Sequence, residues 1–516
     1  MIHRRSNLVA ACYLLLLGVG GALLAQQAWN SVTHYQSEYG ISADLPAEPP
    51  LTSRLVLVVL DGVRVDAAAA MPQLQALASR GSSGIAIAEL PSLSNPARAT
   101  LATGAPTEVH GVTHNERYSP PPVDSIFSLA KKQGIPITVY GSYFWQGAFG
   151  DSLDASRVHS FEKEFGPGTD AGRLAEWQQG ICSEMTPVIS GVDRGLIVIG
   201  LTATDEAGHD LGGASPEYLR LVATSDECLG SLIQALDAED TTFVVVADHG
   251  HIQRRGQGGH GGSEPEVVAT PLIFAGRGVA RSSGWTARHL DVAPTISALL
   301  GLPLPANNQG EILYQVLDLS EQQKAALEAH AAEQRVALAQ GVPDRDQLQA
   351  DGRRSRAPLS LLAAVWFAAL IIGCLRRAGS DAKKLGGAAV VHIAVYFTLY
   401  WAFGLGYSLS DIVRVEYLNW FFLRNASAAA IALLVATRLF RADALRTAIV
   451  VTSIFALRVA WIWYDSGLIM DRLMLDLSQA FMAYMDLLHN LAVSITAVAA
   501  AILARRRLGR QADGLE

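Results

Sequence analysis
The chain has 516 residues, half of them hydrophobic and only 17% charged, against about 25% in an average soluble protein. Its net charge is −8 and its mean hydropathy is +0.24. These values exclude a disordered chain, a coiled coil and a nucleic-acid binder that works through bulk positive charge, and they argue against a purely soluble protein.

Residues 8–25 are uncharged and apolar, behind His3, Arg4 and Arg5. The run is just long enough to cross a bilayer, and only a weak small-residue cleavage pattern follows, at 22–25. The reading is an uncleaved anchor over residues 1–26 rather than a removed signal peptide. Residues 27–314 then read as one domain with alternating strands and helices. Its first nearly continuous apolar run, residues 55–60, ends in Asp61. Next comes Pro91-Ser92-Leu93-Ser94-Asn95-Pro96-Ala97-Arg98, a turn that enters a helix. Ser94 is placed to cap that helix, with Pro96 in the first turn. Alternatively its hydroxyl, at a helix N-terminus beside cations, acts as a nucleophile. Asn115, in His110-Gly111-Val112-Thr113-His114-Asn115, offers a side-chain donor to a phosphoryl oxygen. Cys182 and Cys228 either form a disulfide or remain buried thiols.

A second apolar run, residues 196–201, precedes Asp205-Glu206-Ala207-Gly208-His209. A third, residues 243–247, ends in Asp248-His249-Gly250. His260 follows in Gly258-Gly259-His260-Gly261-Gly262, where glycines let backbone come close to a site. Residues 318–340 are Ala/Glu/Gln-rich and amphipathic; they predict a helix ended by Gly341 and Pro343, within a helical linker over 315–356.

Residues 357–504 predict five further spans. Stretches 357–375 and 385–407 are uncharged, while 417–437, 447–464 and about 481–504 carry isolated ionisable residues. With the N-terminus inside, segments 3–5, 376–384, 438–446 and 505–510 are inside and all basic; loops 408–416 and 465–479 are mixed or acidic. By the positive-inside rule this gives six spans, two cytoplasmic termini with a basic tail over 505–516, and a large domain on the outer face. In a bacterium that is an inner-membrane protein with a periplasmic domain.

Continuous Val/Ile/Leu runs mark strands buried on both faces, hence a mostly parallel α/β sheet sandwiched by helices. Ligands bind at the carboxyl ends of such strands. Three carboxylates gathered there need cations to hold them. Any one of these aspartates can be a mere helix cap, and a lone histidine is usually structural. Together, Asp61, Asp205, Asp248, His209, His249 and His260 suffice for two ions with open positions. The donor set suits zinc, with other divalent ions as alternatives. Two ions about 3.5–4 Å apart clamp the attacking and leaving oxygens of an in-line displacement, which is phosphoryl-type chemistry.

The same residues resemble the alkaline phosphatase superfamily, in particular the type I phosphodiesterase/nucleotide pyrophosphatase family and the related GPI ethanolamine phosphate transferases. The blocks are Leu60-Asp61-Gly62-Val63-Arg64; Ser94-Asn95-Pro96 with Thr103-Gly104; His110-Gly111 through Asn115; Asp205-x-x-Gly208-His209-x-x-Gly212; and Ala247-Asp248-His249-Gly250 with Gly259-His260-Gly261-Gly262. They run in family order, and Asp291-Val292-Ala293-Pro294-Thr295 resembles the closing helix of these domains. The resemblance implies an alkaline-phosphatase-like fold. It implies one zinc on Asp205, His209 and His260 and another on Asp61, Asp248 and His249. Ser94 would stand between the ions as ligand and nucleophile, and Asn115 would hold the phosphoryl group. A covalent phosphoseryl intermediate would be resolved by water or by another alcohol.

Three alternatives stand beside this. Ser94-Asn95-Pro96-Ala97-Arg98 also fits the sulfatase pattern Ser/Cys-x-Pro-x-Arg, although sulfatases usually carry two adjacent acids where this chain has Asp61-Gly62. A phosphomonoesterase needs a positive group over the terminal phosphate oxygens, a place open to Arg98. A non-catalytic membrane protein would not need all six ligand positions and a hydroxyl. The transferases share the layout of one helix, a catalytic domain and several helices, which implies a lipid or lipid-linked phosphodiester as substrate of a membrane-embedded protein; the oligomeric state is left open. Arg424, Arg458 and Asp486 interrupt three spans near their outer ends, with His489 one turn deeper. Either they pair with each other or reach the surface, or they bind an anionic lipid head group.

Overall fold
A computed structural model describes all residues except 1, 44, 162–167, 237–239, 255–256, 343, 413–417 and 514–516. The stop expected at Pro343, the expected start of the fourth span at residue 417 and the last residues of the basic tail lie outside the described residues. The chain divides into an α/β unit, Tyr35–Asp344, and a helical unit formed by Met1–His34 with Arg345–Glu516.

Among the described residues the α/β unit has one sheet of eight strands. They are β1 Arg54–Leu60, β2 Ser82–Ile87, β3 Ile137–Ser142, β4 Val158–Phe161, β5 Gly195–Leu201, β6 Thr241–Ala247, β7 Ala269–Gly276 and β8 Ser282–Arg288. Their order is β4-β3-β5-β1-β6-β7-β2-β8. All pairings are parallel except those of β7, which runs antiparallel to β6 and β2. The central strands β5, β1 and β6 are buried along their whole length, and their side chains alternate between two cores. Leu55, Leu57 and Val59 join Leu196, Val198, Val244 and Val246 on one face, with Phe127, Trp145, Ile296 and Leu299 from covering helices. Val56, Val58 and Leu60 join Ile197, Ile199, Val245 and Ala247 on the other, with Leu74, Met185, Tyr218 and Leu229. Each side chain buried this way contributes about 1.5–3 kcal/mol, so slipping a central strand by one residue would exchange the two faces at a large cost. Leu60 pairs with Leu201 on one side and Ala247 on the other, so the carboxyl ends of the three strands are level.

Cys182, on helix Ala171–Ser190, and Cys228, on helix Pro216–Ala235, form a disulfide with Cα atoms 5.7 Å apart. The stretch expected as a linker is not a separate element. Helix Glu321–Gly341 packs into the α/β unit, burying Leu327 and donating from Gln334 Nε2 to the carbonyls of Ala306 and Asn308. The next helix, Arg345–Ala378, runs without interruption from the expected linker into the expected second span.

Among the described residues, the chain has five stretches long and apolar enough to cross a membrane: Asn7–Thr33, Glu321–Ala402, Leu418–Phe440, Ala444–Asp465 and Leu477–Ala504. The second begins in the helix that packs on the α/β unit, and within it helices Arg345–Ala378 and Ala382–Ala402 are separated by one 3₁₀ turn, Gly379–Asp381. Helix Ile2–Thr33 packs on helix Leu477–Asp513 through glycines. A Cβ on Gly18 would lie 3.1 Å from Leu491 Cα, and one on Gly21 3.2 Å from Leu487 Cδ2. Small residues at such a crossing let apolar helices approach closely.

Candidate metal centre
The level ends of β5, β1 and β6 put three buried aspartates side by side. Asp61 follows β1 directly, Asp248 follows β6 directly, and Asp205 lies in the first turn of helix Ala203–Leu211 just after β5. That helix places His209 four residues on, on the same face as Asp205. Helix Ser94–Thr103 begins at Ser94, and the residue in the cap position is Leu93, with no side-chain cap. The capping reading of Ser94 is therefore set aside. Its Oγ lies 3.1 Å from His249 Nε2 and 3.4 Å from Asp61 Oδ1.

Donor atoms about 2.0–2.1 Å from a tetrahedral ion are about 3.3 Å from one another. Asp205 Oδ1 is 3.5 Å from both His209 Nε2 and His260 Nε2, and those two nitrogens are 3.2 Å apart. In the second set His249 Nε2 is 3.6 Å from Asp61 Oδ1 and 3.8 Å from Asp248 Oδ1, and Ser94 Oγ closes the group. The rings of His249 and His260 stack at 3.6 Å, so the two sets abut. Oxygen and imidazole donors at these separations fit a borderline divalent ion such as zinc better than calcium, which prefers six to eight oxygens.

The electrostatics ask for cations. Burial, followed by the neighbouring Asp61 carboxylate, pushes Asp248 well above the usual carboxylate range. Burial, followed by His260, holds His249 well below the usual imidazole range, and burial holds His260 down to about 4. Uncharged imidazole is the form that ligates a metal. His260 Nδ1 is fixed by the Ser92 carbonyl at 2.9 Å and His249 Nδ1 by the Gly250 carbonyl at 3.1 Å, which leaves each Nε2 for the centre.

Arg98 plays a part that the sequence reading did not assign. Its Nη2 is 2.6 Å from Asp61 Oδ2 and 3.2 Å from Asp248 Oδ2, and its Nη1 donates to Ser142 Oγ at 3.1 Å. One guanidinium thus ties back one oxygen of each carboxylate and leaves both Oδ1 atoms toward His249. With Arg98 buried in this pair, the place proposed for it over a terminal phosphate is not where the structure puts it. The signal was present one helical turn after Ser94, but the partners come from two other segments. Asn115 is half-buried; its Oδ1 accepts from Asn95 N–H at 3.0 Å, and Asn95 Nδ2 donates to its carbonyl. This orients the amide next to the start of the Ser94 helix. His251 was also missed. It is buried, and Asp205, His249 and His251 form a further set with ligand atoms close together.

The membrane cluster separates. Arg458 Nε is 2.5 Å from Asp486 Oδ2, and its Nη2 donates to Asp486 Oδ1 and to Tyr407 OH. The guanidinium also lies 5.2 Å from the Tyr407 ring and 5.5 Å from the Phe455 ring, a cation–π geometry. Arg424 does not join them. It is exposed and donates to the Phe403 carbonyl at 3.4 Å. The inward face of its helix is instead Phe421, Asn425, Ala428 and Ala432. Asn425 accepts from Tyr396 OH at 2.7 Å and donates to the Met485 carbonyl. His489 Nε2 is 2.9 Å from His392 Nε2. Of the two readings offered by the sequence, pairing describes Arg458 and Asp486, and Arg424 stands apart from both.

The family model described as type I phosphodiesterase/nucleotide pyrophosphatase matches residues 55–171 and 188–259; His260 is the next residue. Among curated proteins, GPI ethanolamine phosphate transferase 1 of Aspergillus oryzae is 27% identical over 347 residues, covering 56% of this chain and 33% of that protein. The catalytic subunit of human GPI ethanolamine phosphate transferase 2 is 27% identical over 290 residues, covering 52% and 28%. The chain spans about a third of the length of the curated relatives it matches. Among solved structures, murine ectonucleotide pyrophosphatase/phosphodiesterase 5 aligns with a TM-score of 0.41 at 14% identity, covering 49% of this chain and 96% of that one. Alkaline phosphatase PafA aligns at 0.41 and 12%, covering 53% and 100%. Over the matched residues the chain is similar to the type I phosphodiesterase/nucleotide pyrophosphatase family, along the motif blocks noted in its sequence, and to the GPI ethanolamine phosphate transferases.

Proposed function
We propose that the α/β unit is a two-zinc phosphodiesterase or phospho-head-group transferase acting through Ser94. In this reading Asp205, His209 and His260 hold one ion, and Asp61, Asp248 and His249 hold the other. When bound, the ions supply positive charge to the attacking and leaving oxygens of an in-line displacement. The observation that carries the reading is the place of Ser94 Oγ, within 3.4 Å of donor atoms of the second set rather than in a cap.

The chain's own residues divide the work. Ser94 Oγ attacks phosphorus; the P–O bond to the leaving oxygen breaks as the Ser94 O–P bond forms, and the serine proton passes by way of solvent to that oxygen, which departs as an alcohol. Asn115, oriented by Asn95, donates to a phosphoryl oxygen. Arg98 keeps Asp61 and Asp248 turned toward His249. A second oxygen nucleophile then attacks the phosphoserine, and Ser94 regains its proton. Water as nucleophile gives hydrolysis, and a glycan or lipid hydroxyl gives transfer.

The relatives named for ethanolamine phosphate transfer and the long apolar helices support a lipid-linked phosphodiester, with a phosphoethanolamine-like group as the transferred unit. The basic segments between the spans support an outward-facing, periplasmic α/β unit in a cytoplasmic membrane, with both termini inside. The imidazole-rich sets disfavour a one-calcium sulfatase, and the engagement of Arg98 disfavours a phosphomonoesterase. The deciding experiment uses the full chain in detergent, with an aryl phosphodiester and with labelled phosphatidylethanolamine. Ser94→Ala should keep its zinc and fold but lose turnover and the labelled phosphoserine. Normal turnover by that variant, or turnover of the native protein that persists in EDTA, would sink the mechanism.

A further inference from the structure
We propose that His251 is a positioning residue for the ion held by Asp205: it donates from Nε2 to Asp205 Oδ1 and fixes that oxygen between His209 and His260. The proposal rests on the two-zinc reading above. His251 is fully buried, and its Nε2 is 3.1 Å from Asp205 Oδ1. An ionised carboxylate only accepts, so Nε2 carries the hydrogen in this contact. Among the described residues, the other ring nitrogen, Nδ1, has no hydrogen-bond partner. The tie to Asp205 is thus the polar contact that orients the ring.

The position is built for that ring. A Cβ on Gly62 would stand 2.8 Å from His251 Nε2, and Gly62 has the positive φ of +73°. A Cβ on Gly208 would stand 2.6 Å from the same nitrogen, and one on Gly213 would stand 2.7 Å from His251 Cβ. Two of these glycines belong to the Asp61-Gly62 and Asp205-x-x-Gly208-His209 blocks, so the absence of side chains there makes room for a histidine from a third block. Arg64 Nη1 holds the His251 carbonyl at 3.1 Å, which anchors the backbone as well.

Direct ligation is the competing role. Asp205 Oδ1 is the hub of the first set, 3.5 Å from His209 Nε2 and His260 Nε2. Among the described residues, His251 groups with Asp205 and His249 but not with His209 and His260. An ion seated among Asp205, His209 and His260 therefore leaves the His251 nitrogen outside its shell. Hydrogen bonds to ligating carboxylates set their orientation, and losing one typically costs about 10–100-fold in metal affinity or activity.

The test is zinc competition against a chromophoric chelator, on the full chain in detergent, with melting in EDTA as a check on folding. The native protein should hold two zinc ions. His251→Leu, which has no donor, should weaken one of them by about 10–100-fold and leave the other unchanged. His251→Gln, which can donate an amide N–H, should recover most of the loss. Gly208→Ala, which keeps the histidine but crowds its ring, should reproduce the one-ion loss and serves if His251→Leu does not fold. Two zinc ions at native affinity in both His251→Leu and Gly208→Ala would overturn the proposal alone. So would a loss that glutamine does not recover, accompanied by one fewer nitrogen neighbour in zinc X-ray absorption, since His251 would then be a ligand. No stoichiometric zinc on the native protein would overturn the two-zinc reading itself.

Discussion
The Arg98 clamp gives the most demanding prediction. Arg98→Met keeps much of the side-chain volume and removes the contacts at 2.6 and 3.2 Å to Asp61 and Asp248. All three residues are buried, at 5%, 1% and 0% exposure. Removing one partner of a buried ion pair costs about 3–5 kcal/mol, because the other charge is left without compensation. Here two carboxylates lose the same partner, but Asp248 already has its carboxyl pushed up by burial and Asp61. A carboxyl already raised in this way loses less when the guanidinium goes, which puts the loss toward the lower end of that range, roughly 3 kcal/mol. With about 2.1 cal/mol/K of unfolding entropy per residue, a unit running from Tyr35 to Asp344 shifts by about 1.5 °C per kcal/mol, so the chelator-treated variant should melt about 4–5 °C lower. Both Oδ1 atoms also lose their orientation, so turnover of an aryl phosphodiester in saturating zinc should fall about 10–100-fold. Arg98→Lys keeps the charge but reaches the two carboxylates as a single point donor rather than a fork, and should fall between. The assay is differential scanning fluorimetry in EDTA, with kcat measured in zinc. An Arg98→Met protein with native melting and native kcat would refute the clamp.

Three further outcomes follow from other parts of the molecule. Asn115→Ala should reduce kcat/KM by about 10²–10³-fold, as for loss of one donor to a developing oxyanion, with unchanged zinc content; an unchanged kcat/KM would remove Asn115 from the site. Burial holds His110 down to about 3, below the value of about 6.5 it has in the unfolded chain. The unfolded state therefore takes up this proton first. Stability is full above about 6.5 and is lost at about 1.4 kcal/mol per pH unit as the pH falls toward about 3. In urea melts from pH 7 to pH 5, His110→Gln should show a shallower loss than the native protein, and parallel profiles would contradict the assignment. Gly18→Leu should force helices Ile2–Thr33 and Leu477–Asp513 apart and destabilise the helical unit by about 1–3 kcal/mol; detergent melts that match the native protein would show that the crossing is loose.

The central sheet was legible because β1, β5 and β6 are buried on both faces, and such strands are continuous apolar runs whatever surrounds them. β8 was not legible. Ser282–Arg288 lies at the sheet edge, half-exposed and with a glycine inside, and its pattern differs little from a loop. The six candidate ligands were singled out because Asp61, Asp248 and His249 follow strand ends, Asp205 and His209 share a helix just after one, and His260 lies in a glycine-rich loop. The roles of Arg98 and His251 were not legible, because they exist only after distant segments meet. For the membrane cluster, charge alone was a poor guide. It selected Arg424, which points away from the packed face, and passed over Asn425, the neighbour that fills it.

The level ends of β5, β1 and β6 carry one further consequence. Asp61, Asp205 and Asp248 follow three strands whose ends are aligned by pairings such as Leu60 with Leu201 and with Ala247. A one-residue slip would move an aspartate by about 3.3 Å and turn it to the opposite face. Any ion that needs these carboxylates together is then a proofreader of strand pairing. It adds its binding free energy only to chains whose central sheet is correctly aligned, and a misregistered chain gains nothing from a metal-rich medium.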